Sequence, residues 1–388
     1  MVAIEDYQGR EQSYVKHVFL ERYLERLVHK TASRYDHIAY IDGFAGPWQS
    51  ANEQFQDTSF GIALAALRSA KAIWRQAGRN VRMSAFLIER DSEAYEKLSA
   101  IPARYPEIDI RTYAGDFLKE LPAVLRDIPP MAFAFCFIDP KGWRIPLHAL
   151  SKMLERRNSE VIFNFMFDFI NRAANIKDPA VARGLDELIP YGDWRAKLGE
   201  ADRRGTTPEE RKEILVDAFG QSVAKIGGYD FVAETTILRP LSDRPLYCLC
   251  YATRHPKGIE VFRECQIQAL QEQARARAAT KVKHAEATTG QREIFQSLHD
   301  MGPNELEAFL EAERAKAKRT LLSLAPLAPG STIYNATWPR VLAKHVVRKP
   351  DVNQLAAQLR HANQLAFPDW EKNKRVPQGH YKMQRVEE

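Results

Sequence analysis

The residues best suited to chemistry stand where short apolar runs end, and the first of them form a glycine-containing loop. The run HIAYI is followed by Asp42, Gly43, Phe44, Ala45 and Gly46. Glycine lets a backbone turn sharply and approach a ligand without a Cβ in the way. The loop has neither the GxGxxG pattern of dinucleotide sites nor the GK[ST] ending of a phosphate-binding loop. We predict that these five residues bind part of a cofactor; the alternative is a tight turn that binds nothing.

Acidic residues end the next two apolar runs. Glu89 closes MSAFLIE, and Asp116 closes IDIRTYAGD and is followed by Phe117. A carboxylate at the end of a second strand can accept hydrogen bonds from both ribose hydroxyls. Asp116 could accept from an adenine amino group beside the covering ring of Phe117, or could instead cap the following helix. Glu89, Asp116 and Phe117 are therefore predicted cofactor-binding residues.

The fourth run, MAFAFCFI, ends in Asp139, Pro140, Lys141, Gly142 and Trp143. A carboxylate at this position could orient or deprotonate an attacking amine. The segment resembles the (D/N)PP(Y/F) motif of nucleic-acid amino-methyltransferases, whose aromatic residue stacks on an extruded base. Lys141 replaces the second proline, and Gly142 delays the aromatic residue by one position. We predict Asp139, Pro140, Lys141 and Trp143 as the catalytic group, with packing against a helix as the alternative role of Trp143.

These positions converge only if the apolar runs are neighbouring parallel strands. Amphipathic segments separate the runs, beginning with a helix from about Ser13, which we take as its N-cap. Alternating strands and helices predict an α/β fold with a Rossmann-like sheet covered by helices on both faces. In such sheets ligands bind beyond the carboxyl ends of the strands, at the topological switch point. FVAETTILRP and PLYCLCYATRH would form an antiparallel edge.

The remainder of the chain predicts a second domain. The 388 residues exceed the usual size of one domain. Near residue 271 the sequence becomes charged and poor in large apolar side chains, so we divide it into residues 1–270 and residues 271–388. The second part reads as a helical linker and a winged-helix-like domain. Its tail is basic around Tyr381, with Lys372, Lys374, Arg375, His380, Lys382 and Arg385.

Composition favours an ordinary globular protein with an anionic partner. The chain is 45% hydrophobic and 27% charged, with a net charge of +6. No apolar run approaches the roughly 20 residues of a membrane span, and the polar start MVAIEDYQGREQSY has no signal-like apolar region, so we expect a cytoplasmic protein. Four cysteines, at positions 136, 248, 250 and 265, lack paired metal-ligand spacing, which predicts buried core thiols and no metal site.

Four segments resemble known methyltransferase-like families. IDGFAGP resembles the DxFAGxG loop of nucleic-acid methyltransferases, although Pro47 and Trp48 replace the further glycine. Together with KHVFLERYL, CFIDPKGW and IFNFMFDFINR, it resembles the three-Cys-motif partner family. This resemblance implies a methyltransferase-type fold, S-adenosylmethionine as cofactor, a winged-helix-like C-terminal region and pairing with a three-Cys-motif protein similar to radical S-adenosylmethionine enzymes. It also draws attention to Lys16, which could approach the donor carboxylate or lie on a solvated helix edge.

The leading functional hypothesis is an S-adenosylmethionine-dependent methyltransferase that acts on or with DNA or RNA through the basic C-terminal region. A non-catalytic partner that keeps the donor-binding fold is a second hypothesis, favoured by the altered DPKGW segment. A small-molecule or peptide methyltransferase is a third. Asn164 could point into the site, but a buried asparagine that satisfies loop backbone is the more common case.

Overall fold

The computed structural model describes residues 4–7, 9–46, 50, 55–289 and 296–386. It divides into two compact units, Met1–Arg254 and His255–Glu388. The boundary that we predicted at residue 270 falls inside a continuous helix, Pro256–Thr289. Charged, alanine-rich sequence continues this helix without a break, so the change of composition near residue 271 lies within one helix, in which Gln273, Ala276 and Ala278 are buried.

The first unit contains a seven-stranded sheet built from the predicted apolar runs. Its strands are β1 (His37–Asp42), β2 (Arg82–Glu89), β3 (Asp109–Ala114), β4 (Phe133–Ile138), β5 (Ser159–Phe165), β6 (Phe231–Leu238) and β7 (Pro245–Thr253). Their order is β3-β2-β1-β4-β5-β7-β6. The first five strands pair in parallel, and β7 runs antiparallel to both β5 and β6. The predicted α/β, Rossmann-like class with an antiparallel edge is confirmed.

The switch point of the sheet lies between β1 and β4. The chain first moves outward from β1 through β2 to β3, and then returns to place β4 on the other side of β1. Ile38 pairs with Met83 on one side and with Phe133 on the other. The connections that follow β1 and β4 therefore lead to helices on opposite faces of the sheet, and this is the position at which ligands of such sheets bind.

Helices cover both faces of the sheet. They are α1 (Glu11–Ala32), α2 (Ser59–Gln76), α3 (Ser92–Ser99), α4 (Phe117–Asp127), α5 (Ser151–Leu154), α6 (Phe167–Ala173), α7 (Pro179–Leu188), α8 (Trp194–Arg204) and α9 (Pro208–Gly227). Apolar side chains of α4, α5 and α9 form one core with alternate residues of β1, β4 and β5. On the other face α1 packs against α2, and its Tyr23 contacts Phe135 and Tyr251 of the sheet.

One local prediction was wrong by a few residues. Helix α1 begins at Glu11, so Ser13 lies within its first turn and is not the N-cap. Strand β5 ends at Phe165, and Asp168 belongs to α6, where it pairs with Arg172 and Arg239. The four cysteines are free and buried, as predicted. Within the described part of the chain, no helix is both long and apolar enough to cross a membrane.

The second unit combines helices with a small sheet. Its elements are α10 (Pro256–Thr289), α11 (Gln296–Leu324), β8 (Thr332–Ile333), α12 (Tyr334–Lys344), α13 (Lys349–His361), β9 (Leu365–Ala366) and β10 (Lys382–Arg385). Strand β10 lies between β8 and β9 and is antiparallel to both. The segment between β9 and β10, residues 367–381, is called the wing segment below.

Candidate functional site

Asp42, at the end of β1, shapes the loop that follows it. Its carboxylate is fully buried and accepts hydrogen bonds from the Tyr40 hydroxyl (2.9 Å), the Ser59 hydroxyl (2.6 Å) and the Phe44 amide (3.0 Å). Burial raises the pKa of Asp42 to about 6 in spite of these donors. Both carboxylate oxygens of Asp42 accept hydrogen bonds from within the fold, so Asp42 supports the loop. Its contact with a cofactor stays a prediction.

Backbone hydrogen bonds fix the loop across the switch point. The Gly43 amide donates to the Phe137 carbonyl of β4 (3.2 Å), and the Ala45 amide donates to the Ile88 carbonyl of β2 (2.9 Å). Gly46 is partly exposed beyond them. The loop thus spans the ends of three strands. Pro47 and Trp48, at which the sequence departs from the methyltransferase loop, lie outside the described residues.

Gly43 makes room for an aromatic ring. A Cβ at this position would lie 2.9 Å from the Phe117 ring. That ring is only 3% exposed and contacts Phe44 with centroids 5.5 Å apart. Phe117 therefore packs beneath the loop, and its buried position argues against the predicted role as the cover of an adenine ring.

Replacing Gly43 by alanine should destabilise the protein by about 1–3 kcal/mol, because the added methyl group overpacks the Phe117 contact. Gly142→Ala is the matched control, since a Cβ at position 142 meets nothing within 4 Å. Denaturant unfolding measures both variants. In a Phe117→Leu background the cost of Gly43→Ala should shrink; an undiminished cost would show that the ring is not its cause.

Glu89 and Asp116 present carboxylates at adjacent strand ends. Glu89 is 4% exposed, and its Oε1 accepts from the Asp91 amide (2.7 Å). Asp116 caps α4 by accepting from the Leu118 amide (3.0 Å). The Gly115 amide donates to the Glu89 carbonyl (2.9 Å), which joins the two strand ends. Each carboxylate thus uses one oxygen on nearby backbone, and the described residues supply no hydrogen bond to the other oxygen.

Asp139 is the centre of a polar group that sequence spacing could not reveal. Its Oδ2 is 2.5 Å from the Lys16 ammonium of α1, and its Oδ1 accepts from the Asn164 amide nitrogen of β5 (2.5 Å). The ion pair is mostly buried, with side-chain exposures of 12% for Lys16 and 20% for Asp139. The Lys16 ammonium also lies 5.9 Å from the centre of the Tyr247 ring. Lys16 therefore contacts the predicted catalytic carboxylate.

The neighbour of Lys16 in sequence takes a structural role. His17 is buried and hydrogen-bonded through Nδ1 to the Tyr7 hydroxyl (2.8 Å). Burial, together with the charges of Lys16 and Arg10, holds the pKa of His17 well below its usual value. His17 is therefore an enclosed imidazole, and Lys16 is the member of the KH pair that contacts Asp139.

The other residues of the DPKGW segment differ in their surroundings. Pro140 is buried, whereas Lys141 is exposed. Burial lowers the pKa of Lys141, and the charges of Glu89 and Asp91 oppose that shift. Lys141 therefore lies towards the acidic end of β2. The Trp143 ring packs against α7, where a Cβ on Gly184 would be 3.0 Å from it. Of the two roles considered for Trp143, the structure supports helix packing.

The comparisons with known proteins give weak similarity to methyltransferase-like structures. Neither a protein-family model nor a curated protein matches the chain. Protein LPL1258 from Legionella pneumophila is 13% identical with a TM-score of 0.38, covering 63% of this chain and 88% of its own. A loganic acid methyltransferase with SAH is 8% identical, with a TM-score of 0.29 and coverages of 79% and 90%. The YcgJ protein from Bacillus subtilis is 13% identical, with a TM-score of 0.25 and coverages of 59% and 95%.

These likenesses are too weak to carry an argument, since all three TM-scores lie below 0.5. The fold assignment therefore rests on strand order and register. Two contributors to the site, Ser59 and Tyr247, were not predicted from the sequence. Asn164 had a sequence signal, its place in the IFNFMFDFINR segment, and of the two roles considered for it the structure shows contact with the site, since its amide nitrogen donates to Asp139. The Tyr247 hydroxyl donates to the Gln12 carbonyl of α1 (2.6 Å), a contact between segments 235 positions apart.

Proposed function

We propose that the first unit binds S-adenosylmethionine and that the protein is a methyltransferase-like protein acting on or with nucleic acid. One observation carries the proposal: the loop after β1 and the ends of β2, β3 and β4 form one hydrogen-bonded edge at the switch point. Bound there, S-adenosylmethionine would supply an electrophilic methyl group. The chain would hold its ribose through Glu89 and its adenine through Asp116, each by the oxygen that backbone leaves unused.

Asp139 would act on the acceptor. It ends β4 beside the loop, and Asn164 fixes the direction of its carboxylate. A carboxylate in this position can orient an amine and receive its proton. The Lys16 ammonium competes for the same oxygen in the free chain. This ion pair also favours the second candidate, a non-catalytic subunit that keeps the donor-binding fold, because it neutralises the carboxylate that would act on an acceptor.

The second unit supports a nucleic-acid role through its topology and charge. Two helices, α12 and α13, precede an antiparallel pair joined by the wing segment, which is the arrangement expected of a winged-helix-like module. Lys372, Lys374, Arg375 and Lys382 are exposed on or beside that segment. Tyr381 is buried and packs against Trp370, so it anchors the segment that carries these cations.

The resemblance supports a partner protein, and the chemistry of the cysteines supports a cytoplasmic compartment. The three-Cys-motif partner family implies pairing with a radical S-adenosylmethionine-like protein. All four cysteines are free thiols, which is typical of the reducing cytoplasm.

Calorimetry with S-adenosylmethionine and S-adenosylhomocysteine tests the proposal. The wild type should bind both, and Glu89→Gln should weaken binding at least about tenfold, the effect of losing one charged hydrogen-bond acceptor. Glutamine still accepts from the Asp91 amide, so the strand end should keep its shape. Glu93→Gln, on the exposed face of α3, is the control and should bind as the wild type does. If the wild type binds neither compound, the proposal fails.

A further inference from the structure

We infer that helix α6 and the turn between β6 and β7 form a stacking surface for an unpaired base of a single-stranded nucleic acid. The stacking surface consists of Phe169 and Arg172 of α6 and of Arg239 and Leu241 of the turn. The inference deepens the proposed function, on which it rests, by naming a class of nucleic acid and a place for it on the first unit. It involves neither the carboxylate at the end of β4 nor the aromatic residue of the DPKGW segment.

Both segments lie at the edge of the sheet that carries the candidate site. Strand β7 is antiparallel to β5 and to β6, so β5 and β6 run in the same direction. The helix after β5 and the turn after β6 therefore emerge at the edge where Asp139 follows β4. Asn164, which binds Asp139, also donates to the Met166 sulfur (3.4 Å). The Phe169 amide donates to the Met166 carbonyl (3.0 Å), so the stacking surface begins one turn beyond the site.

Each of the two segments exposes a large apolar side chain. Phe169 is 46% exposed, and Leu241 is 49% exposed. Single exposed apolar side chains are common on protein surfaces, so exposure alone identifies no ligand. What distinguishes Phe169 is the charged group that is built around its ring.

An ion-pair network holds a guanidinium over the Phe169 ring. The guanidinium carbon of Arg172 is 4.8 Å from the ring centre. The Asp168 carboxylate pairs with this guanidinium at 3.0 Å, and the Asp168 carbonyl accepts from Arg172 Nε (3.2 Å). The same carboxylate oxygen accepts from Arg239 at 2.9 Å, which joins the turn to α6 across 71 positions. Because one carboxylate serves two guanidiniums, these three charged residues keep a net positive charge.

An aromatic ring beside exposed guanidiniums matches the chemistry of an unpaired base. Bases of single strands stack on aromatic rings and on guanidinium planes, while cations contact the neighbouring phosphates. The Arg172 side chain is 62% exposed, so its outer face can receive a base while its inner face lies against Phe169. In a duplex the faces of each base are covered by neighbouring base pairs. The stacking surface therefore favours unpaired strands.

Two octanucleotides separate the contribution of bases from that of phosphates. One is an oligodeoxyuridylate, and the other has the same backbone with a tetrahydrofuran abasic analogue at every position. Phosphate contacts, those of the wing segment included, are common to both strands, so the ratio of the two Kd values reports contacts with bases. The full-length wild type should bind the strand with bases about tenfold more tightly, which is the effect of one stacked base. Fluorescence anisotropy with end-labelled strands measures both Kd values.

Substitutions in the stacking surface should remove this preference for bases. Phe169→Leu should bring the ratio of Kd values close to one, because leucine keeps the apolar bulk and lacks a face for stacking. Phe169→Tyr should keep the wild-type ratio. Phe309→Leu is the matched control, since it removes a ring of the second unit that is 43% exposed, and it should keep the ratio as well. Arg172→Lys should lower the ratio without weakening the abasic strand, because lysine keeps the charge and lacks the guanidinium plane.

The outcomes distinguish the occupants of the surface. A wild-type ratio near one overturns the inference, and so does a ratio that Phe169→Leu leaves unchanged, since leucine would serve a partner protein as well as phenylalanine does. If the preference for bases depends on Phe169, a ribouridylate octamer identifies the strand: tighter binding than the deoxy strand assigns the surface to RNA, and weaker or equal binding leaves it open to DNA. No S-adenosylmethionine is present, so failure here is distinct from a failure to bind the methyl donor.

Discussion

The variant Asp42→Asn should gain about 3 kcal/mol of stability relative to the wild type as the pH rises from about 4 to about 8. Burial raises the pKa of Asp42 from its usual 3.8 to about 6. Between these values the folded protein holds a proton that the unfolded chain releases, so wild-type stability falls as the pH rises through this window. Above about pH 6 the fold carries the full cost of a buried charge. Asparagine has no charge to bury.

The substitution should leave the surroundings of residue 42 intact. The amide oxygen can accept from the Phe44 amide, while its NH₂ group can donate to the Tyr40 and Ser59 hydroxyl oxygens, since hydroxyls both donate and accept. Denaturant unfolding at several pH values measures the difference between variant and wild type. Asp36→Asn, at an exposed position just before β1, is the control and should track the wild type. A difference for Asp42→Asn that does not change with pH would refute a buried, titrating carboxylate.

The outcome for Asp42 also bears on how donor binding should be interpreted. Its carboxylate is engaged by Tyr40, Ser59 and the Phe44 amide. A substitution here would change donor affinity through the shape of the loop and not through a lost contact. Glu89, whose second oxygen is not used by the described residues, is the more direct probe of a ribose site.

The sequence predicted the elements of this fold better than the partners of its side chains. The ends of β1, β2 and β4 are visible because buried parallel strands are continuous apolar runs, and a charged residue interrupts each run. The same reasoning predicted that the third strand ends at Asp116, two residues beyond the observed end of β3 at Ala114. Hydrophobic periodicity reports which face of an element is buried, but it does not report what that face meets.

The contacts at the site that the sequence did not predict share this cause. Lys16 looked more like a residue of a solvated helix edge, because its partner Asp139 lies 123 positions away. Phe117 looked like the cover of a ligand, yet it fills the space that Gly43 leaves open. Trp143 packs against Gly184, which no motif marks. Each outcome depends on a contact between distant segments, which a single sequence does not encode in any local pattern.

Oligonucleotide affinity of the full-length protein should fall about 100-fold between 50 and 200 mM salt if the wing segment and its neighbour Lys382 contribute about four phosphate contacts. The expected contacts are the exposed Lys372, Lys374, Arg375 and Lys382. Phosphate contacts release condensed counterions, which is why the logarithm of the affinity falls with the logarithm of salt concentration.

Replacing all four residues by glutamine should flatten this dependence, while the fold persists because none of the four side chains is buried. The control replaces four exposed cations of the first unit, Arg75, Lys97, Lys119 and Lys177, by glutamine. Both variants lose the same formal charge, so a non-specific effect of net charge would weaken them equally. Fluorescence anisotropy with a labelled oligonucleotide at several salt concentrations measures the slopes. Equal slopes in the two variants would remove the wing segment as the nucleic-acid surface, and a flat wild-type dependence would remove phosphate recognition altogether.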